Sequence, residues 1–389
     1  MICEYIFLIM GCLYNESDVK NREYRRNGMN YNYEAIVPYL LNWFDYNARI
    51  LEWRDNPKPY YVWVSEIMLQ QTRVEAVKGY FDRFIAALPD IKSLADVEEE
   101  KLLKLWEGLG YYNRVRNLQK AAQQVVIEYG SELPADYDKL LQLPGIGAYT
   151  AGAIASIAFQ IPIPAVDGNV LRVMKRIAGS YDDITKESVK KLLTQDLQCI
   201  MPKDRPGDFN QAIMDLGATV CLPNGKPLCE KCPIMHLCEA FHKDLTMQIP
   251  VKPARKERRL EDKTILLIEY QDKYAIHKRP AKGLLAGLWE LPNIEGRLNG
   301  EKLKLWLKEQ GLSSINVAKL GEAKHIFSHI EWHMIGYHVI LKEENSSGQR
   351  TIDNFCRENS NVWADQDEIR NKYSIPSAFS AFVDQVKKE

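Results

Sequence analysis

The chain of 389 residues has no long apolar run and no strong excess of charge. A membrane-spanning helix needs about 20 consecutive apolar residues, and no stretch of this chain approaches that length, so we expect no membrane contact. The formal net charge of −1 excludes a uniformly basic nucleic-acid-binding surface and leaves any such contact to local patches. A chain that is 46% hydrophobic and 26% charged is long enough for two domains with buried cores.

The N-terminus lacks the basic start and the small-residue cleavage site of a secretory signal. Its short apolar run follows Glu4, with no lysine or arginine before it. We therefore expect residues 1–29 to be an extension that is disordered or precedes the native start, with Met29 as a candidate initiator.

Cysteine is scarce outside one loop, residues 221–238, where four of the eight cysteines follow the pattern C-x7-C-x2-C-x5-C. Such clustering indicates a metal site rather than a disulfide framework, and with it a reducing compartment. Four thiolates suit either a zinc ion or an iron–sulfur cluster, and the spacing leaves both open. The predicted ligands are Cys221, Cys229, Cys232 and Cys238.

The most informative stretch is residues 143–172, LPGIGAYTAGAIASIAFQIPIPAVDGNVLR. LPGIG predicts a tight turn between helices, because proline fixes φ and glycine tolerates positive φ. Backbone amides at Gly145, Ile146 and Gly147 could bind phosphate without reading base sequence. An ordinary corner between two helices is the alternative. Asp167, before the next helix, is either a functional carboxylate or a simple N-cap.

A second carboxyl, Glu66, lies in an apolar helical run, WVSEIMLQQTRV at residues 63–74. A carboxyl in such surroundings is partly desolvated, and desolvation raises its pKa. Glu66 is therefore a candidate general acid that holds its proton near neutral pH. The alternative is an acidic residue in the first turn of a helix, where it would favour the helix dipole.

These motifs resemble a known superfamily. LPGIG, a helix, a proline-rich loop and VDGNV are similar to the helix-hairpin-helix DNA glycosylases of the endonuclease III-like superfamily. Residues 63–74, GLGYYNRVRNL at 108–118, the four-cysteine loop and FSH at 327–329 resemble the MutY-type adenine DNA glycosylases. The resemblance implies a mainly α, two-lobed helix-hairpin-helix glycosylase followed by an α+β Nudix-like domain.

The expected domains are a glycosylase domain at residues 30–247, a linker at 248–262 and a Nudix-like domain at 263–389. The linker is rich in charge and proline, as domain boundaries often are. The last domain has strand patterns and the stretch GLLAGLWELP, but it lacks the acidic metal-binding run of the Nudix motif. We therefore expect it to recognise a lesion rather than to hydrolyse nucleotides.

In the family, the residue matching Glu66 protonates the adenine leaving group, and the one matching Asp167 stabilises or traps the oxocarbenium-like sugar. Asn169 would orient this site. Tyr149 stands where bifunctional relatives carry a lysine that forms a Schiff base, so the resemblance implies base excision without efficient strand cleavage.

The implied partner is duplex DNA containing adenine opposite 8-oxoguanine or guanine. Candidate contacts with bases are Trp53, Arg54, Gln71, Thr72, Leu109, Tyr111, Phe327, Ser328 and His329. Arg114 and Arg116 either contact phosphate or form a solvated face. For FSH without its context, a strand with alternating burial is the alternative.

The resemblance favours a [4Fe–4S] cluster over zinc, although the first two cysteines are one residue further apart than in the family. It also implies a monovalent cation at the hairpin, a monomer, and a location in the bacterial cytosol with the nucleoid. Three other functions stay open: a glycosylase/lyase acting on oxidised bases, a non-catalytic iron–sulfur sensor of DNA damage, and a nucleotide-pool hydrolase, which the missing acidic motif disfavours.

Overall fold

The computed structural model describes residues 33–253, 257–312, 315–342 and 346–386. The extension predicted at residues 1–29 lies outside this range, as do residues 254–256 of the predicted linker. In the part of the chain that is described, no helix has the length and apolar character needed to cross a membrane.

The chain divides into two compact units that do not follow sequence order. The first contains Met1–Ile50, described from residue 33 onwards, and Gly147–Pro253. The second contains Leu51–Ile146 and Ala254–Glu389. The predicted glycosylase segment is thus shared between the units, and part of it groups with the C-terminal domain. The boundaries drawn from the sequence stay a prediction.

Helices account for most of residues 33–253. In chain order, the described helices are α1 (Val37–Asn47), α2 (Glu52–Asp55), α3 (Pro59–Leu69), α4 (Val74–Ala87), α5 (Ile91–Asp96), α6 (Glu99–Leu105), α7 (Asn113–Tyr129), α8 (Tyr137–Leu141), α9 (Ala148–Phe159), α10 (Gly168–Ile177), α11 (Glu187–Ile200), α12 (Pro206–Thr219), α13 (Glu239–His242), α14 (Gly300–Glu309), α15 (Ser346–Glu358), α16 (Gln366–Asn371) and α17 (Ser380–Val386). Short 3-10 turns occupy Tyr33–Ile36, Cys229–Lys231, Met235–Leu237 and Ser377–Phe379.

In the first unit, α9 consists largely of small and apolar residues and is buried along most of its length. Its Gly152 lies against the loop that follows the helix: a Cβ at this position would be 2.4 Å from the carbonyl oxygen of Pro164. The absence of a side chain therefore allows loop and helix to pack backbone against backbone. This packing sets the path of the chain toward Asp167.

In the second unit, α3 is buried on nearly all sides: Tyr60 and every residue from Val62 to Met68 are buried, and most of these residues are apolar. A helix of this kind belongs in a core, because it has no polar face to present to water. Pro59 occupies its first turn, where the missing amide hydrogen costs nothing.

The C-terminal domain is built on a mixed sheet. Its described strands are β1 (Arg259–Tyr270), β2 (Lys273–Lys278), β3 (Trp289–Glu290), β4 (Asn293–Glu295), β5 (Ile315–Ile326), β6 (Ile330–Leu341) and β7 (Asn361–Ala364). The central order is β3-β2-β1-β6-β5; β1 and β6 are parallel, whereas the other paired strands are antiparallel. Phe379 and Phe382 cover one face and Leu303 and Leu307 the other. The predicted fold class, helical followed by α+β, is confirmed.

Replacing Gly152 with alanine is expected to lower the free energy of unfolding by about 1–3 kcal/mol, because the new methyl group would press on the Pro164 carbonyl. The matched control is Gly79→Ala in α4, where the added Cβ meets only a flexible arginine tip at 3.4 Å. The control should gain about 0.5–1 kcal/mol from the helix propensity of alanine. Urea unfolding followed by circular dichroism measures both. A Gly152→Ala protein as stable as the wild type would contradict the proposed packing constraint.

Candidate active site and nucleic-acid interface

Glu66 lies in the second unit, in the interior of α3, and only 6% of its surface is exposed. It is the eighth residue of this helix, so the alternative of an acidic residue in the first helical turn is wrong. The residue is buried, as expected within this apolar run.

The neighbouring pair Trp53 and Arg54 belongs to the short helix α2. The Trp53 ring is 4% exposed and packs edge-on against Phe81, with ring centroids 5.1 Å apart. Arg54 is half-buried. Of these two candidate contacts with bases, Arg54 is the more accessible.

Gln71 and Thr72 follow the C-terminal end of α3. Gln71 is exposed and adopts φ +58°, a left-handed conformation that turns the chain sharply. Both side chains therefore lie beside the last turn of α3. The carbonyl groups of this turn lack hydrogen-bond partners within the helix.

Arg114 supplies those carbonyl groups with donors. One guanidinium nitrogen, Nη1, donates to the carbonyl oxygens of Ile67, Met68 and Gln70 at 2.9, 3.0 and 2.5 Å. The other, Nη2, donates to the carbonyl oxygens of Leu109 and Gly110 at 3.0 and 3.1 Å. One side chain thus joins the end of α3 to the turn at residues 108–111. Neither sequence interpretation of Arg114, as a phosphate contact or as a solvated face, described this role.

The turn at residues 108–111 is strongly left-handed, with φ of +98° at Gly108, +70° at Gly110 and +48° at Tyr111. It buries Leu109, which is 6% exposed, and presents the Tyr111 ring, which is 50% exposed. The Arg114 guanidinium lies 5.5 Å from the centroid of that ring. Of the two predicted DNA-contacting residues in this turn, Tyr111 is the accessible one.

Phe327, Ser328 and His329 form the connection between β5 and β6, with the Phe327 amide donating to the Ile330 carbonyl at 2.8 Å. The alternative of a continuous strand with alternating burial is therefore wrong. Ser328 and His329 are exposed, while Phe327 is half-buried and packs on Trp332 at 4.9 Å.

The structure brings this connection together with the Tyr111 turn inside the second unit. The hydroxyl groups of Tyr111 and Ser328 are 3.2 Å apart, within hydrogen-bonding distance. Two open clefts adjoin them: one of about 640 Å³, and one of about 560 Å³ that is also lined by Gln71 and Arg258. Five of the predicted contact residues, Gln71, Tyr111, Phe327, Ser328 and His329, thus share one surface.

The hairpin turn follows α8. Gly145 adopts φ +78°, and a Cβ there would lie 2.8 Å from the Asn117 side chain, so the position requires glycine. The Ile146 amide donates to the Leu143 carbonyl within the turn, and Ile146 is 4% exposed. The amides of Gly145 and Gly147 have no backbone partner among the described residues. These two, rather than the Ile146 amide, are suited to a phosphate.

Asp167 lies in the first unit and caps α10. Its Oδ1 accepts the amides of Asn169 and Val170 at 2.8 and 2.7 Å, and its Oδ2 accepts the Asn169 side-chain amide at 2.7 Å. Asn169 in turn accepts from Arg172 at 3.1 Å. Burial raises the pKa of Asp167 above its ordinary value, while these hydrogen bonds and the Arg172 charge oppose the shift. The carboxyl is both an N-cap and a rigidly oriented group.

Tyr149 lies in the first turn of α9, and its hydroxyl is 3.8 Å from the Met214 sulfur. It is half-buried and belongs to the first unit, as Asp167 and Asn169 do. Glu66 belongs to the second unit.

The four cysteines of the loop line one cavity, and none of them forms a disulfide. Burial raises the pKa of Cys232 to about 12 and that of Cys238 to about 11, with smaller contributions from the neighbouring cysteines. Among the described residues, no group of three or more His, Cys, Asp or Glu side chains is arranged to hold a metal ion.

Replacing Arg114 with methionine is expected to lower the free energy of unfolding by on the order of 3 kcal/mol, because it leaves several partly buried carbonyl groups without donors. Hydrogen exchange should rise at residues 67–72 and 108–111 in particular. The control Arg116→Met removes a guanidinium that pairs with the exposed Glu99, which is expected to change stability by less than about 1 kcal/mol. Equal effects of the two variants would contradict the proposal that Arg114 joins the end of α3 to the turn at residues 108–111.

Comparison with known proteins gives consistent matches. Residues 64–199 match the HhH-GPD superfamily base excision DNA repair protein family, and residues 264–385 match the NUDIX domain. Adenine DNA glycosylase of Mus musculus is 37% identical over 388 residues, covering 83% of this chain and 75% of the relative. Adenine DNA glycosylase of Buchnera aphidicola subsp. Baizongia pistaciae (strain Bp) is 31% identical over 353 residues, covering 90% and 96%. A solved thermostable thymine-DNA glycosylase is 28% identical, with a TM-score of 0.48 over 54% of this chain and 96% of that chain.

Proposed function

Because the chain belongs to the adenine DNA glycosylase family, we propose that it removes adenine mispaired with 8-oxoguanine or guanine by hydrolysing the N-glycosidic bond. Such an enzyme must extrude the adenine from the duplex, because the bond to be broken is inaccessible within the base stack. The surface formed by Tyr111 and the β5–β6 connection supports this proposal.

Departure of adenine requires a proton on the base and stabilisation of the cationic sugar that remains. We assign the proton to Glu66, whose burial in the interior of α3 supports the role of an acid. We assign the stabilising carboxylate to Asp167, which the Asn169 and Val170 amides orient. The two carboxyls then have different roles, in line with their different surroundings. Tyr149 and Asn169 are proposed to support Asp167, with which they share the first unit.

The reaction is proposed to stop at base removal. A glycosylase that also cleaves the strand forms an imine between an amine and the abasic sugar. At the start of α9 this chain has Tyr149, and a phenol cannot form an imine. The rival hypothesis, a glycosylase/lyase that acts on oxidised bases, needs a lysine in this role.

Recognition of the opposing base is proposed at Ser328. 8-Oxoguanine differs from guanine by a donor at N7 and an acceptor at O8, and a serine hydroxyl can both accept and donate a hydrogen bond. The observation that carries the proposal is the 3.2 Å distance between the Tyr111 and Ser328 hydroxyls. It places the exposed Tyr111 ring beside the serine that is proposed to hydrogen-bond to the opposing base. Phe327, His329, Gln71 and Thr72 would complete the contact, with Gly145 and Gly147 at a phosphate.

The four-cysteine loop is proposed to hold a [4Fe–4S] cluster through Cys221, Cys229, Cys232 and Cys238. The four thiols line one cavity, and four thiolates suit either a zinc ion or an iron–sulfur cluster. The resemblance of the loop to that of the glycosylase family favours the cluster. When bound, the cluster would cross-link the loop, and we assign it no redox step. A monovalent cation at the hairpin, the monomeric state and the location with the nucleoid stay predictions.

The test of the proposed function is excision from a labelled duplex with adenine opposite 8-oxoguanine, with and without alkali afterwards. The wild type should give cleavage at the adenine only after alkali, and borohydride should trap no covalent complex. Glu66→Gln should slow excision at least about 100-fold, because the leaving base loses its acid, while mismatch binding is retained.

The matched control is Glu75→Gln, an exposed acid on α4, which should excise at the wild-type rate. Borohydride trapping would instead favour the glycosylase/lyase. A folded, iron-containing protein that binds the mismatch and excises nothing would favour the non-catalytic sensor.

The cluster is tested by analysis of iron, sulfide and zinc in the protein purified without air. We expect iron and sulfide in equal amounts and no stoichiometric zinc. Cys232→Ser should lose most of the iron, because it removes one of the four proposed ligands, whereas Cys199→Ser, an exposed cysteine outside the loop, should keep it. Stoichiometric zinc without iron would overturn this assignment.

A further inference from the structure

A partly buried polar network in the second unit joins α6 and the residues after it to the C-terminal domain. The Lys104 amine donates to the carbonyl oxygens of Ile369 and Tyr373 at 3.2 and 3.0 Å. It also pairs with Glu107 at 2.6 Å. The other oxygen of Glu107 accepts the Ile375 amide at 2.9 Å. We call Lys104, Glu107 and these backbone groups the polar dock.

Two further contacts reinforce the polar dock. Ser374, which is fully buried, donates to the Leu103 carbonyl at 3.2 Å. Glu100, on the same helix, accepts the indole N–H of Trp289 at 3.0 Å. The ion pair of Lys104 and Glu107 is partly buried, so separating the two side chains would leave each charge uncompensated. The pair and its backbone partners therefore favour one fixed geometry. The dock therefore holds residues 369–375 in one position against α6.

The dock is adjacent in sequence to both walls of the 640 Å³ cleft. Glu107 immediately precedes the turn at residues 108–111, which carries Tyr111. Ile375 immediately precedes Pro376, Ser377 and Ala378, which line the same cleft as Tyr111 and Ser328. A shift at the dock would therefore move the two walls relative to each other.

Aromatic packing continues from the dock to the β5–β6 connection. Phe379, four residues after Ile375, packs on Trp332 with ring centroids 6.0 Å apart. Trp332 packs on Phe327 at 4.9 Å. Because Phe327 precedes Ser328, these rings form a contiguous set of contacts between the dock and the serine.

We propose that Lys104 and Glu107 are specificity-determining positioning residues, which set the preference for 8-oxoguanine over guanine without touching DNA. They fix the separation between the Tyr111 turn and Ser328, and so the place where the opposing base is read. This inference rests on the proposed function. A change at either residue would alter the preference for the opposing base but would leave the chemistry at adenine unchanged.

The test compares single-turnover excision from duplexes with adenine opposite 8-oxoguanine and opposite guanine. Lys104→Met should slow the first reaction on the order of tenfold, because small misplacement of a binding group has large effects on rate. The second reaction should change less than about twofold, since it does not use the N7 and O8 contacts. The matched control is Lys101→Met, an exposed lysine on the same helix, which should change neither rate.

A double-mutant cycle distinguishes an effect that Lys104 exerts through Ser328 from a general loss of activity in the variant protein. If Lys104 acts through Ser328, then Lys104→Met should add no further loss of preference to Ser328→Ala. Glu107→Gln, which keeps an acceptor for the Ile375 amide but loses the charge, should give a smaller loss of the same kind. It replaces Lys104→Met as the test variant if that protein does not fold.

Three results would overturn the inference: an unchanged preference, equal slowing on both duplexes, or additive effects of the Lys104 and Ser328 substitutions. Hydrogen exchange provides a readout that does not need activity. Exchange at residues 108–111 and 369–375 should rise in Lys104→Met but not in Lys101→Met. If the wild type excises no adenine, the proposed function fails, whereas this exchange pattern still decides whether the dock holds the two segments together.

Discussion

The guanidinium of Arg114 is the constraint on which the candidate interface of the second unit depends. The end of α3 and the turn at residues 108–111 leave carbonyl groups without regular partners, and buried carbonyl groups without donors are costly. Arg114 satisfies both sets with one planar side chain. The helix that carries Glu66 and the turn that presents Tyr111 therefore share one anchor, and neither can move without disturbing the other.

In the other sites, too, charged side chains are held by hydrogen bonds to backbone groups. Asp167 caps α10 through two backbone amides and is oriented by Asn169, so one carboxyl serves the helix and the proposed chemistry. The polar dock likewise uses backbone carbonyl and amide groups of the C-terminal domain as the partners of Lys104 and Glu107. In each case a charged side chain is held by the backbone, which cannot change rotamer. This arrangement suits groups that must be positioned to within a fraction of an ångström.

These contacts also explain where reasoning from the sequence failed. Arg114 follows an exposed-looking aromatic turn, and its partners are backbone carbonyl groups that no residue pattern reveals. The FSH stretch lies within an alternating pattern that predicts a strand, yet it forms the connection between β5 and β6. No motif in the sequence singles out Lys104 or Glu107. Their partners at residues 369–375 are more than 260 positions away, and only folding brings them together.

The sequence by itself determined the fold class and the family through the resemblance of its motifs to known glycosylases. Local chemistry then supplied the candidate residues within those motifs: the glycine turn, the apolar run around Glu66, the four closely spaced cysteines and the strand patterns after the linker. The tertiary structure decided which side chains are accessible and what holds them. It buried Trp53 and Leu109, exposed Tyr111 and Ser328, and grouped the helices of Leu51–Ile146 with the C-terminal domain. The physical reason is that the exposure of a side chain and its hydrogen-bond partners depend on contacts between distant segments, whereas a sequence motif consists of neighbouring residues.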